Sequence, residues 1–222
     1  MNETERQYYF MEKASGHVAK LGEKLGRKPT CCVTTFGCQM NARDSEKLVG
    51  ILEKVGYEII EDENADFVIY NTCTVRDNAN QRVYGRLGVL NGYKKKNPHM
   101  KIALCGCMAQ EPRVSERIKK SYPHVDLVFG PQALWKFPEL LWQVYETKKR
   151  VFSVQDEHGT IAEGIPVVRE KGVKAWVSIM YGCNNFCSYC IVPYVRGREK
   201  SRKPGDILAE FRGLVEAGYK EI

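Results

Sequence analysis

Hydrophobic positions between residues 29 and 150 alternate between short continuous runs and helical spacing. Four runs are typical of buried strands and lie at residues 32–36, 67–70, 102–104 and 126–129. Apolar residues at helical spacing follow each run. After the first run they include Leu48, Leu52 and Val55, and Gly56 stands where that helix would end. Strands that alternate with helices predict an α/β fold, with a parallel sheet, right-handed crossovers and flanking helices.

The same pattern divides the chain into four parts. They are a polar N-terminal extension (1–28), an N-terminal domain (29–150), a linker of short extended pieces (151–172) and the start of a second domain (173–222). We expect the extension to dock loosely, because its helical periodicity is weak. The second domain should begin with a strand over 175–180 and a cysteine-rich loop. A helix should follow, with Pro204 in its first turn and Gly218 as its stop.

Composition narrows the class of protein. Hydrophobic residues make up 43% and charged residues 27% of the 222 positions, as in ordinary globular proteins. No apolar run approaches the roughly 20 residues that span a bilayer, so no membrane association is expected. Charges spread through the first thirty residues leave no room for a secretory signal, which predicts a cytoplasmic protein. The net charge of +7 suits a polyanionic partner, although solubility alone also explains such a charge.

Nine cysteines point to metal ligation, because cytosolic thiols stay reduced and an odd number does not suit a disulfide framework. The four histidines lie away from every cysteine group, which argues against mixed Cys/His zinc sites.

The first candidate group is Cys38, Cys73 and Cys107, each of which directly follows one of the first three predicted strands. Parallel strands end at one edge of their sheet, so these thiolates should meet there. Three cysteines without a fourth suit an iron–sulfur cluster that keeps one iron open. The alternative is three unrelated buried thiols. Cys31 and Cys32 are interpreted as core residues, whereas Cys105 competes with Cys107 for the third position.

The second candidate group follows the predicted strand of the second domain. Cys183, Cys187 and Cys190 have the spacing Cys-x3-Cys-x2-Cys, which can hold three irons of a 4Fe-4S cluster from one loop. A zinc site or a ferredoxin loop would need a fourth ligand nearby. The loop resembles that of the radical S-adenosylmethionine superfamily, in which the open iron binds S-adenosylmethionine. That resemblance implies that the backbone at Tyr189 lies against the adenine of the cofactor.

Together the two groups resemble the methylthiotransferases. Three stretches carry the match: TFGCQMN at 35–41, NTCTVR at 71–76 and GCMAQ at 106–110. Residues 39–41 and 76–88 look most like the MiaB-type tRNA enzymes. Relatives that modify a ribosomal protein or threonylcarbamoyl-adenosine have different residues after the first cysteine.

The resemblance implies a fold, cofactors and partners. An N-terminal domain would precede a radical S-adenosylmethionine (β/α) partial barrel, truncated here after its first strand–helix unit, which would leave Trp176 and Ile179 exposed. Two 4Fe-4S clusters and S-adenosylmethionine would add a methylthio group to carbon 2 of N6-isopentenyladenosine beside the anticodon of tRNA. An electron donor such as flavodoxin or ferredoxin would be required. The sulfur would come from the first cluster or from an external sulfur donor. A non-enzymatic electron-transfer protein with two clusters is the alternative of another class.

Basic residues suggest where RNA would bind. Lys94, Lys95 and Lys96 are interpreted first as a solvated helix end. A second set follows the cluster loop beside Tyr194 and suits phosphate and base contacts or a cover over the cofactor: Arg196, Arg198, Lys200, Arg202 and Lys203.

Overall fold

A computed structural model describes residues 1–74, 77–154, 161, 163–169 and 172–222 of the chain. Its helices are α1 (Glu3–Leu25), α2 (Gln39–Val55), α3 (Asp77–Lys96), α4 (Cys107–Gln110), α5 (Pro112–Ser121), α6 (Phe137–Thr147), α7 (Val192–Arg196) and α8 (Pro204–Glu216), with a 3₁₀ turn at Pro131–Lys136. Its strands are β1 (Thr30–Phe36), β2 (Glu58–Ile59), β3 (Phe67–Thr72), β4 (Lys101–Gly106), β5 (Leu127–Phe129), β6 (Val151–Ser153), β7 (Met180–Tyr181) and β8 (Lys200–Ser201).

Six strands form one parallel sheet in the order β2-β1-β3-β4-β5-β6. Helices cover both faces, and each face has its own apolar core. The predicted α/β fold is therefore confirmed, and so are the four predicted strands and the helix stop at Gly56, whose φ is +114°. Two short strands of this sheet, β2 and β6, were not predicted, and neither was β8. One of them, β6, pairs with β5 and occupies the first three residues of the predicted linker, so the linker prediction begins three residues too early.

The N-terminal helix α1 belongs to the core of the sheet domain. Met11, Ala14 and Val18 are at most 2% exposed, and the helix packs against α6 and α2. A capping box between Asn2 and Glu5 fixes its start. The expectation of a loosely docked extension is therefore wrong. Its apolar stripe of one residue per turn, set among charged side chains, is narrow but long enough to hold the helix on the sheet.

The predicted strand at 175–180 forms only at its last residue. Met180 and Tyr181 pair antiparallel with Ser201 and Lys200, whereas residues 175–179 have no strand partner among the described residues. A strand needs a continuous neighbouring backbone to complete its hydrogen bonds, and among the described residues only the two ends of this stretch have one. The Ala175 N–H donates to the Glu221 carbonyl at 2.8 Å, and the Ile179 carbonyl accepts from the Arg202 N–H at 3.0 Å. The predicted exposure of Ile179 is confirmed at 56%, while Trp176 is half-buried.

Helix α8 begins at Pro204 as predicted, and Gly218 follows its end with a φ of +92°. Three apolar side chains on this helix, Leu208, Phe211 and Val215, are exposed. No helix in the described part of the chain is both long and apolar enough to cross a membrane.

Asp66 joins three elements at the amino end of the sheet. Its carboxylate accepts hydrogen bonds from Arg27 Nη1 at 2.7 Å, from the Thr30 backbone N–H at 2.8 Å and from Asn97 Nδ2 at 3.3 Å. Burial alone would raise the pKa of this carboxyl group. The hydrogen bonds outweigh it, so the pKa lies below its usual range.

We predict that Asp66→Asn lowers the free energy of unfolding at neutral pH by about 2 kcal/mol, because charge-assisted hydrogen bonds are lost. A carboxyl group whose folded pKa is depressed contributes stability above its unfolded pKa of about 3.9 and loses it as the pH falls through the folded pKa. Urea titrations of the two proteins should therefore converge at low pH. Glu61→Gln, which removes an exposed carboxylate nearby, should track the unsubstituted chain at every pH. If the free energies of unfolding of Asp66→Asn and the unsubstituted chain differed by the same amount at every pH, the lowered pKa of Asp66 would be contradicted.

Candidate functional site

Three cysteines lie at the carboxyl ends of three adjacent strands. Phe36, Thr72 and Gly106 are register partners across β1, β3 and β4, and each of these strands ends at that residue. Cys73 and Cys107 come directly after their strands, and Cys38 follows β1 by two residues. Cys73 and Cys107 are buried, whereas Cys38 is exposed. The expected meeting of these cysteines at one sheet edge is present. Their role as ligands stays a prediction.

The side chains that could hold a cofactor at this edge are thiols. Among the described residues, no three Cys, His, Asp or Glu side chains are arranged to hold one metal ion. A 4Fe-4S cluster spreads its thiolate ligands over different irons, so its cysteines need not converge on one point. Free thiols without a histidine nearby are the ligands that such a cluster takes. The residues present therefore fit an iron–sulfur cluster.

Two glycines let the backbone approach closely beside these cysteines. A Cβ atom at Gly37 would lie 2.6 Å from Asn41 Oδ1. Gly106 has a φ of +91°, and a Cβ there would overlap with the Thr72 carbonyl oxygen. Both positions therefore leave room only for glycine.

A buried pair of asparagines holds two of the cysteine loops together. Asn41 Nδ2 donates to Asn71 Oδ1 at 3.0 Å and to the Thr72 carbonyl at 3.1 Å. Asn71 Nδ2 returns a hydrogen bond to the Asn41 carbonyl at 2.8 Å. The Cys38 thiol donates to Asn41 Oδ1 at 3.4 Å. Sequence reasoning quoted both asparagines in motifs but assigned them no role. An asparagine at the end of a fully apolar strand, as at position 71, is the pattern that points to it.

The remaining strand cysteines are core residues. Cys31 and Cys105 belong to the apolar core on one face of the sheet, and Cys32 belongs to the core on the other face. Burial raises the pKa of Cys31 and Cys105, so their thiolates are strongly disfavoured. Burial also raises the pKa of Cys107, but there the guanidinium of Arg196 opposes burial as the next largest influence, whereas at Cys105 its effect is the smallest of those that act. This difference favours Cys107 over Cys105 as the thiolate at the edge.

The second cysteine group lies on the loop after β7. Cys187 is exposed, and Cys183 and Cys190 are half-buried, so all three thiols are accessible from outside. Gly182 has a φ of +72°, and a Cβ there would overlap with the backbone of Arg198. The backbone N–H of Cys183 donates to the Gly197 carbonyl at 3.1 Å, which closes the loop. Tyr189, with 92% of its surface exposed, projects from the loop.

Two arginines of the predicted RNA-binding set are buried in ion pairs. Arg196 Nη2 lies 2.9 Å from Asp44 Oδ2, and its guanidinium also interacts electrostatically with the Cys107 thiol, whose pKa it lowers against the effect of burial. Arg202 donates to Glu163 at 2.7 Å and to Glu210 at 2.5 Å. The prediction that these two arginines contact RNA is wrong, because carboxylates already occupy their donors.

Other basic residues differ from one another in exposure. Arg198 is exposed, and its Cζ atom lies 4.6 Å from the centre of the Phe186 ring. Lys94 pairs with Asp126 and donates to the His124 carbonyl at 2.8 Å, so its interpretation as a solvated helix end is wrong. Lys95 and Lys96 are exposed, as that interpretation expects.

A network of arginines and glutamates docks residues 163–169 and 172–222 on the sheet domain. Glu210 of α8 accepts from Arg43 of α2 at 2.7 Å, from Arg202 and from Arg169. Burial would raise the pKa of Glu210, but hydrogen bonds and charge from the arginines lower it below its usual range. The connecting segment crosses α2 at Gly50, where a Cβ would lie 2.6 Å from the Pro166 carbonyl oxygen. The two cysteine groups thus belong to units in direct contact.

Part of the predicted motif set lies outside the described residues. Val75 and Arg76, the last residues of the second matching stretch, are not described, and neither are residues 155–160, which include His158. Of residues 77–80 the helical backbone alone is described.

The fold and the cysteines define a class of protein: a parallel α/β domain with three strand-end cysteines, followed by a Cys-x3-Cys-x2-Cys loop. Residues 30–130 match the family model described as "Uncharacterized protein family UPF0004". The chain is 58% identical over 212 residues to the tRNA-2-methylthio-N(6)-dimethylallyladenosine synthase of Lachnoclostridium phytofermentans, covering 96% of this chain and 46% of the relative.

Synthases of the same name from two further organisms are also similar. Identity is 52% over 221 residues with that of Acetivibrio thermocellus, covering 99% of this chain and 46% of the relative. Identity with the synthase of Clostridioides difficile is 49% over 219 residues, covering 98% of this chain and 46% of the relative. The chain is thus similar to these synthases over nearly its whole length. It spans about half the length of the curated relatives it matches.

We predict that Gly106→Ala lowers the free energy of unfolding by about 2–4 kcal/mol, because alanine is strained at this positive φ and overlaps with the neighbouring strand. Gly92→Ala, in α3, is the matched control. No atom lies within 4 Å of a Cβ there, so the variant should be more stable by about 0.5–1 kcal/mol. Urea unfolding measures both variants. Equal stability of Gly106→Ala and the unsubstituted chain would contradict the close packing at this edge.

Proposed function

We propose that the chain binds two 4Fe-4S clusters, one on Cys38, Cys73 and Cys107 and one on Cys183, Cys187 and Cys190. The observation that carries the proposal is the contact between Arg196 and Cys107. Arg196 lies six residues after Cys190, so it brings the loop of the second group onto the strand edge of the first. A protein that transfers a group between two centres needs them close together, because proximity replaces a bimolecular encounter.

We further propose that the chain is part of a tRNA methylthiotransferase that acts on N6-dimethylallyladenosine. Clusters held by these cysteines, together with S-adenosylmethionine, would supply radical formation and sulfur transfer. The protein itself holds the reacting centres in place. Asn41 and Asn71 fix the loops of Cys38 and Cys73, and the Glu210 network keeps the second unit docked. Tyr189 would lie against the adenine of S-adenosylmethionine.

The substrate is inferred from the relatives and from exposed groups beside the loop. The relatives are named as synthases of 2-methylthio-N6-dimethylallyladenosine in tRNA. That name favours this substrate over a ribosomal protein or threonylcarbamoyl-adenosine. Arg198 and Tyr194 are exposed next to the second cysteine group and offer a guanidinium and a ring for phosphate and base contacts. A cytoplasmic location, an electron donor such as flavodoxin or ferredoxin, and a sulfur donor complete the proposal.

Iron counting tests the two cluster sites. The 222-residue chain, reconstituted anaerobically with iron and sulfide, is expected to bind two clusters' worth of iron. Replacement of Cys38, Cys73 and Cys107 by alanine should leave one cluster's worth, and so should replacement of Cys183, Cys187 and Cys190. The Cys31→Ala, Cys32→Ala double variant is the control and should keep both. Cys105→Ala should also keep both, whereas Cys107→Ala should not. Full iron retention in either triple variant would refute that site.

The catalytic part of the proposal is tested with an enzyme as long as the relatives that contains this chain. Reduced enzyme with S-adenosylmethionine should release 5'-deoxyadenosine and convert isopentenylated tRNA into a product heavier by one methylthio group in place of hydrogen. Mass spectrometry of the nucleosides measures the product. Ribosomal protein and threonylcarbamoylated tRNA are the competing substrates. Absence of 5'-deoxyadenosine would favour the electron-transfer alternative, and modification of a competing substrate would overturn the choice of tRNA base.

A further inference from the structure

Arg196 is a buried cation between the two cysteine groups. The side chains of Arg196 and Asp44 are 5% and 7% exposed, and their ion pair spans 2.9 Å. Helix α7, which ends at Arg196, packs against α4, which begins at Cys107, and the guanidinium interacts electrostatically with the Cys107 thiol, while Asp44 belongs to α2, which follows Cys38. One side chain of the second unit therefore contacts one element behind the first cysteine and the third cysteine itself.

The backbone around Arg196 is built to carry it into this position. Arg196 is the last residue of α7, which packs against α4, the short helix that Cys107 opens. Gly197 follows with a φ of +79°, and a Cβ there would lie 2.8 Å from Gln132 Nε2. The backbone directly after the guanidinium therefore lies close against Gln132 of the sheet domain, where only glycine fits.

The chemistry of the pair indicates more than docking. Burying a charged pair costs desolvation that the attraction only partly offsets, and an apolar contact would hold two units together as well. Docking already has the larger network around Glu210, which does not include a cysteine. A guanidinium has donors for two partners at once, so it can serve the carboxylate and the sulfur together. Hydrogen bonds and charge at the sulfur ligands are what a protein uses to tune an iron–sulfur centre.

We propose that Arg196 is a positioning residue that holds the loop of the second cysteine group against Cys107 and sets the charge beside the first group. The effect of Arg196 on the charge beside the first cluster rests on the proposed function. Its role in holding the loop against Cys107 is independent of that function.

Thiol labelling of the cluster-free chain tests the position. With N-ethylmaleimide under native conditions, Cys107 should be protected and Cys187 should react rapidly. Arg196→Gln should raise the labelling rate of Cys107 at least tenfold, while Cys31 and Cys105 stay protected and report an intact core. Arg196→Lys should give a smaller increase. Arg212→Gln, which removes an exposed charge from α8, should have no effect. Unchanged protection of Cys107 in Arg196→Gln would overturn the proposed position.

The reduction potential of the first cluster tests the charge, in a chain whose Cys183, Cys187 and Cys190 are alanine. Reduction adds negative charge, so Arg196→Gln should lower the midpoint potential and Asp44→Asn should raise it. A tenfold change in the one-electron equilibrium corresponds to about 59 mV. A loss of packing alone would move both variants in the same direction, and that result would overturn the charge role. If this chain binds no iron, the first cluster site fails, and the labelling result still decides the position of Arg196.

Discussion

The parallel register of β1, β3 and β4 is the constraint on which the site depends. These three strands stop at residues that are partners of one another, so the segments that follow them leave the sheet side by side. Cysteines separated by more than thirty residues in sequence become neighbours without any local motif. A shift of one strand by one residue would move the start of its cysteine loop by about 3.3 Å along the strand and would turn the strand's own side chains to the other face of the sheet.

Polar groups reinforce that register where the apolar core ends. The Asn41–Asn71 pair satisfies backbone and side-chain groups that burial would otherwise leave unpaired, and Thr72 adds a hydrogen bond to the Cys105 carbonyl at 2.6 Å. Each of these bonds spans two different strands or loops. A network of this kind has a single arrangement in which every member is satisfied, so it specifies the geometry of the edge more narrowly than apolar packing would.

Periodicity and topology rules are sufficient to predict the sheet domain. The four apolar runs, the helix stop at Gly56 and the meeting of three cysteines follow from local pattern and from the geometry of parallel strands. The failures share a cause. Helix α1, strand β6 and the missing strand at 175–179 depend on which distant segment lies alongside, and a local pattern carries no such information. Arg196 and Arg202 were assigned to RNA for the same reason, since a basic residue in a sequence does not reveal its carboxylate partner.

Gly50 links the helix behind the first cysteine group to the docking of the second. The segment that leads to the second cysteine group crosses α2 over this residue, and the Pro166 carbonyl lies where a side chain would stand. The crossing segment also carries Arg169, which joins Glu46 of the same helix to Glu210 of α8. A single methyl group on α2 would therefore act as a wedge. It would displace the crossing segment from α2 and move the two cysteine groups apart, although it would contact no cysteine.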